Sequence, residues 1–308
     1  MHWIGVIVER GVYIEEINGA IKDWAAASAV PKSFSKILIF GSLINRSGRN
    51  FVPQGATASD VDLILLFSES VNNASSRSEA LIALRDQVSH LEHRVAKILA
   101  RASTDPIFSI LPLTSYEIHQ CIHKGHDPKL FLGNVFHDVM GDEGNIASLG
   151  GYVDYDYHYE NLEAFSVIRL AQAYRNEYLG CNHLGICRIH GFSGELPLPK
   201  QIMRSGALLR YFASDREDQS FRTDLEEGYH YLLQLFERMR ASSALHQTLW
   251  DHVSARSLGR GEAPDLTPDD MLLAHEVMYD EAKGLVVPSV RDAIREVMEA
   301  ESTPSSPN

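Results

Sequence analysis

Basic residues are scarce in this 308-residue chain: 28 lysines and arginines stand against 41 acidic residues, a formal charge of −13. That deficit argues against a protein that coats duplex DNA non-specifically, because phosphate neutralisation needs an extended positive face. A local basic cleft is still compatible with it, since net charge says nothing about distribution. Long apolar runs are missing too. The longest, such as Ile37-Leu38-Ile39-Phe40 and Val61 to Phe67, fall far short of the ~20 residues a membrane-spanning helix needs. Cysteine is rare, and an odd count of three points to thiols in a reducing compartment rather than a disulfide framework. Met1 to Arg10 has neither a basic head nor a small-residue cleavage site, so no secretory signal is expected. The expectation is a soluble, acidic, cytoplasmic protein. Its 44% hydrophobic content suffices for one large core or two medium ones.

Two textures divide the chain near Gly150-Gly151. Before that point, near-continuous apolar runs suit strands buried on both faces: Lys36 to Phe40, Val61 to Phe67 and Ile107 to Leu113. Leu81, Leu84, Val88, Leu91, Val95 and Ile98 recur at spacings of three and four, which predicts a helix between the second and third strands. A further helix is expected around Tyr13 to Ala27. After Gly151 the β-type runs largely vanish. Helices are expected around Leu162 to Leu170, Ile202 to Phe212 and Leu225 to Met239. Another should start at Thr267-Pro268-Asp269-Asp270, with a hydroxyl cap, proline in the first turn and carboxylates at the positive end of the dipole. Gly284 is placed to stop that helix, and Ser289 to cap the next. The predicted fold class is α+β, with a mixed-sheet catalytic domain over residues 1–150, an all-helical domain over 151–301 and a disordered tail over 302–308.

The chemistry concentrates in one segment. Ile37-Leu38-Ile39-Phe40 runs into Gly41-Ser42, and a polar loop leads to Ser59-Asp60-Val61-Asp62-Leu63-Ile64. Gly41, lacking a Cβ, lets backbone approach an anion closely, and Ser42 can offer its hydroxyl and N–H to a phosphate. Asp60 and Asp62 at i and i+2 fall on one face of a strand while Val61 points the other way. Two carboxylates so close repel each other and are best satisfied by shared hard cations. Mg²⁺ (or Mn²⁺), bound jointly with substrate phosphates, is the usual outcome.

This arrangement resembles the nucleotidyltransferases of the DNA polymerase β-like superfamily, in Phe40-Gly41-Ser42 followed by Asp60-Val61-Asp62. The resemblance covers roughly the first 145 residues. It implies a mixed sheet backed by helices, Gly41 and Ser42 at a nucleoside triphosphate, and Asp60 and Asp62 as catalytic metal ligands. Leu113 to Ile118 followed by Phe131 to Val135 is similar to the strand–helix–helix end of the smaller members. Chance juxtaposition would instead make Asp60 a turn residue and turn Asp62 outward, which the continuous apolar run after Asp62 disfavours.

Two departures from the family pattern matter. The connection from Ser42 to Asp60 is long and carries Arg46 and Arg49, either donors to the triphosphate or parts of a solvated loop. The third carboxylate of polymerising members has no counterpart: alignment puts Ser109 there. Asp105, the nearest acid, shares strand parity with Ser109 but lies roughly 13 Å away along an extended strand, unless a bulge before Pro106 shortens the path.

Other features have rival readings. Cys181, His183, Cys187 and His190 are four candidate zinc ligands whose spacing departs from the usual knuckles, so ordinary loop residues are the alternative. The tyrosines of Tyr152 to Tyr159 suit either base stacking or an interdomain seal. Lys200 and Arg204 share a helix face; by resemblance to two-domain relatives they would reach the triphosphate, and otherwise they are solvated.

The function expected is metal-dependent transfer of NMP or dNMP from a nucleoside triphosphate to a hydroxyl acceptor with pyrophosphate release. Within the family the chain resembles, a large helical domain implies a nucleotide or oligonucleotide product of signalling or defence type. NMP transfer to a protein partner or small molecule is the first alternative, and a catalytically degenerate nucleotide-binding module the second.

Overall fold

The computed structural model describes residues 2–27, 30–44, 52, 58–101, 105–141, 145–146, 148–187, 200–213, 225–239, 244–258 and 266–286. The chain begins with helices α1 (His2–Ala27) and α2 (Val30–Ser33), then strand β1 (Phe34–Phe40), a 3-10 turn (Gly41–Leu43) and β2 (Val61–Phe67). Next come α3 (Ala74–Ile98), β3 (Phe108–Leu113), α4 (Ser115–His119), α5 (Leu130–Gly133), β4 (Phe136–Asp138) and β5 (Asn145–Ile146). Helices follow: α6 (Tyr155–Glu160), α7 (Leu162–Leu179), α8 (Lys200–Ala213), α9 (Leu225–Met239), α10 (Ala244–Leu258) and α11 (Pro268–Leu285). The strands make one mixed sheet in the order β3-β2-β1-β4-β5. Strands β1 and β2 are antiparallel, β2 and β3 parallel, and β4 pairs antiparallel with both β1 and β5. An α+β fold with a mixed sheet is the observed class.

Strand alternation sorts the apolar runs onto two faces. Ile37, Ile39, Val61, Leu63, Leu65, Phe108 and Ile110 pack with α1 and α3, and Leu81, Leu84, Val88, Leu91 and Val95 form the α3 stripe. Leu38, Ile64, Leu111 and Leu113 face the opposite side, against Ile118, Phe131 and Phe136. The first of these cores also takes in Tyr178 and Leu179 from α7 and Leu272 from α11. Helix termini follow their sequence signals: Asn73 with Ser76, Thr114 with Glu117 and Thr267 with Asp270 close capping boxes, and Pro268 opens α11. Helix α10 and strands β4 and β5 have weaker signatures: α10 lacks an ordered apolar stripe, and the two strands are only two or three residues long. Ser289 and residues 302–308 lie outside the described residues.

The helices are locked to the sheet by buried ions. Arg175 of α7 binds Glu117 of α4 at 2.9 Å and grips both carboxylate oxygens of Glu276 of α11. Arg77 of α3 reaches the same Glu276 and, at 2.7 Å, Asp280. Arg175, Glu117 and Glu276 are fully buried and Arg77 nearly so. Both guanidinium groups stack on Tyr279, 4.6 and 4.7 Å from its centroid, and the Tyr279 hydroxyl meets Thr114 Oγ1 at 2.7 Å. Burial alone would raise the Glu276 carboxyl, but Arg175 and Arg77 outweigh it and hold it below its ordinary value.

Cysteine counting misses one feature. Cys181 and Cys187 form a disulfide across a short antiparallel bridge, with only Cys121 left as a buried thiol. Gly185, at φ +77°, supplies the left-handed turn that brings the two ends together.

Neutralising one member of the buried network leaves its partners charged and desolvated. Glu276→Gln is therefore expected to lower unfolding free energy by about 3–5 kcal/mol, read as a fall in the urea midpoint. Breaking the exposed Arg94–Asp23 pair with Arg94→Ala should cost about 0–1 kcal/mol.

Candidate active site

At the end of β1, Phe40 pairs with Asp62, and the chain leaves the sheet through Gly41 at φ +76°. A Cβ at Gly41 would run into the Asp62 carboxylate, so glycine is required both for the left-handed turn and for the close approach. Ile44 N–H closes the turn on the Gly41 carbonyl at 3.2 Å. Leu43 is buried beneath it, while Ser42 is half-buried at its centre.

Asp60 is exposed just ahead of β2, and Asp62 is half-buried within it. Both share the parity of Ile64 and hence the sheet face of Leu38 and Leu111. Burial raises the Asp62 carboxyl from 3.8 to about 6, repulsion from Asp60 adds to this, and Lys124 opposes it. Lys124 and, beside Asp60, Arg101 are the cations that act on this pair. Among the described residues no group of three or more His, Cys, Asp or Glu could hold a metal ion.

On the other flank, β3 pairs in parallel with β2 and sets Ser109 directly opposite Asp62. Asp105 is exposed, ahead of the first residue of β3. Asn176 of α7 donates to the Ile110 carbonyl at 2.7 Å and accepts from the Lys124 ammonium. Lys124 thus stands as the cation acting on Asp62, a role that sequence reasoning missed. Its only signal was a lysine in the polar stretch after α4, and the side chain that holds it comes from a helix fifty residues later.

Beside Asp60, Arg101 donates to the carbonyl of Ser59 and supports the strand entry. Buried Glu92 of α3 accepts the Ile107 and Phe108 N–H groups at 2.8–3.0 Å and so caps the start of β3. Desolvation pushes the Glu92 carboxyl up to about 7 against the lowering effect of those N–H groups.

The remaining candidates sit elsewhere. Arg46, Arg49 and His190 lie outside the described residues, as does the Lys200 side chain. Arg204 is exposed on α8, which packs on α7, α9 and α11. Tyr152, Tyr155 and Tyr159 are exposed, whereas Tyr157 is buried edge-on against Phe165. Cys181 and Cys187 are spent in the disulfide, so neither offers zinc a thiolate. No described helix is long and apolar enough to cross a membrane.

A family model described as Pol beta superfamily nucleotidyltransferase in conflict systems (NTase-conflict) matches residues 20–283. No curated protein and no solved structure matches the chain.

Because Asp62 takes up a proton near pH 6, a cation must compete with that proton below this pH. Mn²⁺ affinity, measured by electron paramagnetic resonance, is expected to rise between pH about 5 and about 7 and then level off. Asp62→Asn should abolish the rise along with most of the affinity. In the metal-free protein, ionising Asp62 is disfavoured, so its contribution weakens folding as pH climbs from 3.8 to about 6.

Proposed function

The chain belongs to the Pol beta superfamily nucleotidyltransferases of conflict systems, and from that premise we propose that it transfers NMP or dNMP from a nucleoside triphosphate to a hydroxyl acceptor. The observation that carries this reading is the juxtaposition of the Gly41 turn with the Asp62 carboxylate at one end of the sheet. A phosphate chain lying over the glycine would meet the Asp62 carboxylate, whose atoms are the nearest to a Cβ placed there.

In this reading Asp60 and Asp62 are the catalytic carboxylates and hold Mg²⁺ (or Mn²⁺). When bound, the ions neutralise the triphosphate and make the acceptor hydroxyl more acidic. Gly41 and Ser42 seat the phosphates, and Lys124 offsets part of the negative charge gathered around Asp62. The acceptor oxygen bonds to the α-phosphorus as the bond to pyrophosphate breaks. Such a step depends on positioning and charge compensation more than on covalent help from the protein. With Ser109 opposite Asp62, the acceptor's proton passes to another base or to solvent. Arg46, Arg49, Lys200 and Arg204 are proposed as further triphosphate contacts. A nucleotide or oligonucleotide is the favoured acceptor, with a protein or small molecule as the alternative.

One observation favours a second reading. Serine in place of the third acid suits a nucleotide-binding module that has lost turnover. Pyrophosphate release from a panel of NTPs and dNTPs, with Mg²⁺, with Mn²⁺ and with chelator, separates the two. The transferase reading requires metal-dependent release with at least one nucleotide.

Asp60→Ala and Asp62→Ala are each expected to reduce transfer to background while far-ultraviolet circular dichroism stays unchanged. Asp105→Asn should leave the rate essentially as it is. An Asp105→Asn enzyme that is folded, binds nucleotide and is dead would identify Asp105 as the missing third carboxylate.

A further inference from the structure

Arg169 of α7 is 8% exposed and its Nε is buried with no hydrogen-bond partner. Among the described residues no carboxylate pairs with it. This is unusual, because a buried guanidinium normally has a counter-charge, as Arg77 and Arg175 do in the same molecule. Its electrostatic neighbours are His123 and His158. One turn further along, Gln172 gives its Nε2–H to the Ile122 carbonyl at 2.8 Å, but its Oε1 is buried and unpartnered. His123 accepts the Gly125 N–H on Nδ1 at 3.2 Å, which leaves the proton of the neutral ring on Nε2, a donor. Burial, with Lys124, Arg169 and His126, pushes the His123 ring down to about 4 against Asp127, so it is neutral in ordinary buffers. His158 is already engaged with the Gln120 carbonyl at 2.7 Å.

Strand order decides where this cluster lies. Gly41 flanks Asp62 from β1, whereas Ser109, Asn176 and Lys124 flank it from the β3 side. Arg169 and Gln172 share the α7 face of Asn176, on the flank away from the proposed donor phosphates. We propose that Arg169 and the half-exposed His123 form an anion subsite for a phosphate group of the acceptor. This deepens the proposed transferase reading by choosing among acceptors: a phosphorylated sugar compound such as a nucleotide, rather than a protein side chain or an uncharged small molecule.

The test is calorimetric and needs no turnover, so it can fail independently of the transferase assignment. Ribose 5-phosphate, ribose and inorganic phosphate are titrated into the full chain, with and without an α,β-methylene triphosphate and Mg²⁺. Ribose 5-phosphate should bind saturably, about tenfold or more tighter than ribose, and still bind when the triphosphate is present. Arg169→Gln should weaken it about tenfold or more, with triphosphate affinity unchanged. Since Arg169→Met removes an unpaired buried charge, its Tm should equal or exceed that of the wild type, and phosphate should raise the wild-type Tm alone. Should the Arg169 variants not fold, His123→Ala carries the same binding comparison. Absence of saturable phosphate binding, an unaffected Arg169→Gln protein, or displacement of ribose 5-phosphate by the triphosphate would each overturn the assignment, the last by giving the site to the donor.

Discussion

The arrangement of Arg175, Glu276, Arg77 and Glu117 is the constraint on which the rest of the molecule depends. Glu117 sits at the start of α4, Glu276 on α11, Arg77 on α3 and Arg175 on α7, so one buried cluster fixes four helices against the C-terminal ends of β2 and β3. The cost of taking four charges out of water is several kcal/mol per ion, and it is met only because each oxygen is hydrogen-bonded and Tyr279 covers both guanidinium groups. A hydrophobic contact would tolerate small rotations of α7; bidentate pairing does not. That rigidity has a functional consequence. Asn176, next to Arg175, is held in register to bond Ile110 beside Ser109 and to carry Lys124 towards Asp62.

The two ends of the sheet are thus treated differently. At one end opposite charges are matched, buried and satisfied. At the other, burial raises the Asp62 carboxyl to about 6, and repulsion from Asp60 adds to this against Lys124. Matched ion pairs are concentrated at the first end and a perturbed carboxyl at the second, the usual division between scaffold and site. Arg169, whose Nε lacks a hydrogen-bond partner and which meets no carboxylate among the described residues, is a second anomaly, on the far flank.

Much of this was legible in the sequence where local pattern and tertiary role coincide. The three long strands were marked by continuous apolar runs, α3 by its apolar stripe, and α11 by a hydroxyl cap followed by proline and carboxylates. Gly41 and the Asp60/Asp62 pair were legible because strand parity and the need for a missing Cβ are both local properties. The Ser109 position was legible through alignment with the family pattern, and the parallel register puts it opposite Asp62. Long-range pairings were not. Nothing local distinguishes Arg175, fully buried, from an exposed helix arginine, and Lys124 gains its place from Asn176. The disulfide was missed for a different reason: an odd cysteine count argues about compartments, whereas Gly185 between Cys181 and Cys187 decides whether two sulfurs can meet.

In the proposed reaction the triphosphate crosses the Gly41 turn to the Asp60/Asp62 pair and breaks between its α- and β-positions. Following label from triphosphates carrying phosphorus-32 at either the α- or the γ-position tests it most directly. With Mg²⁺ present, α-label should move covalently into an acceptor product while γ-label leaves as pyrophosphate. Release of γ-label as orthophosphate, or its transfer to the acceptor, would contradict it.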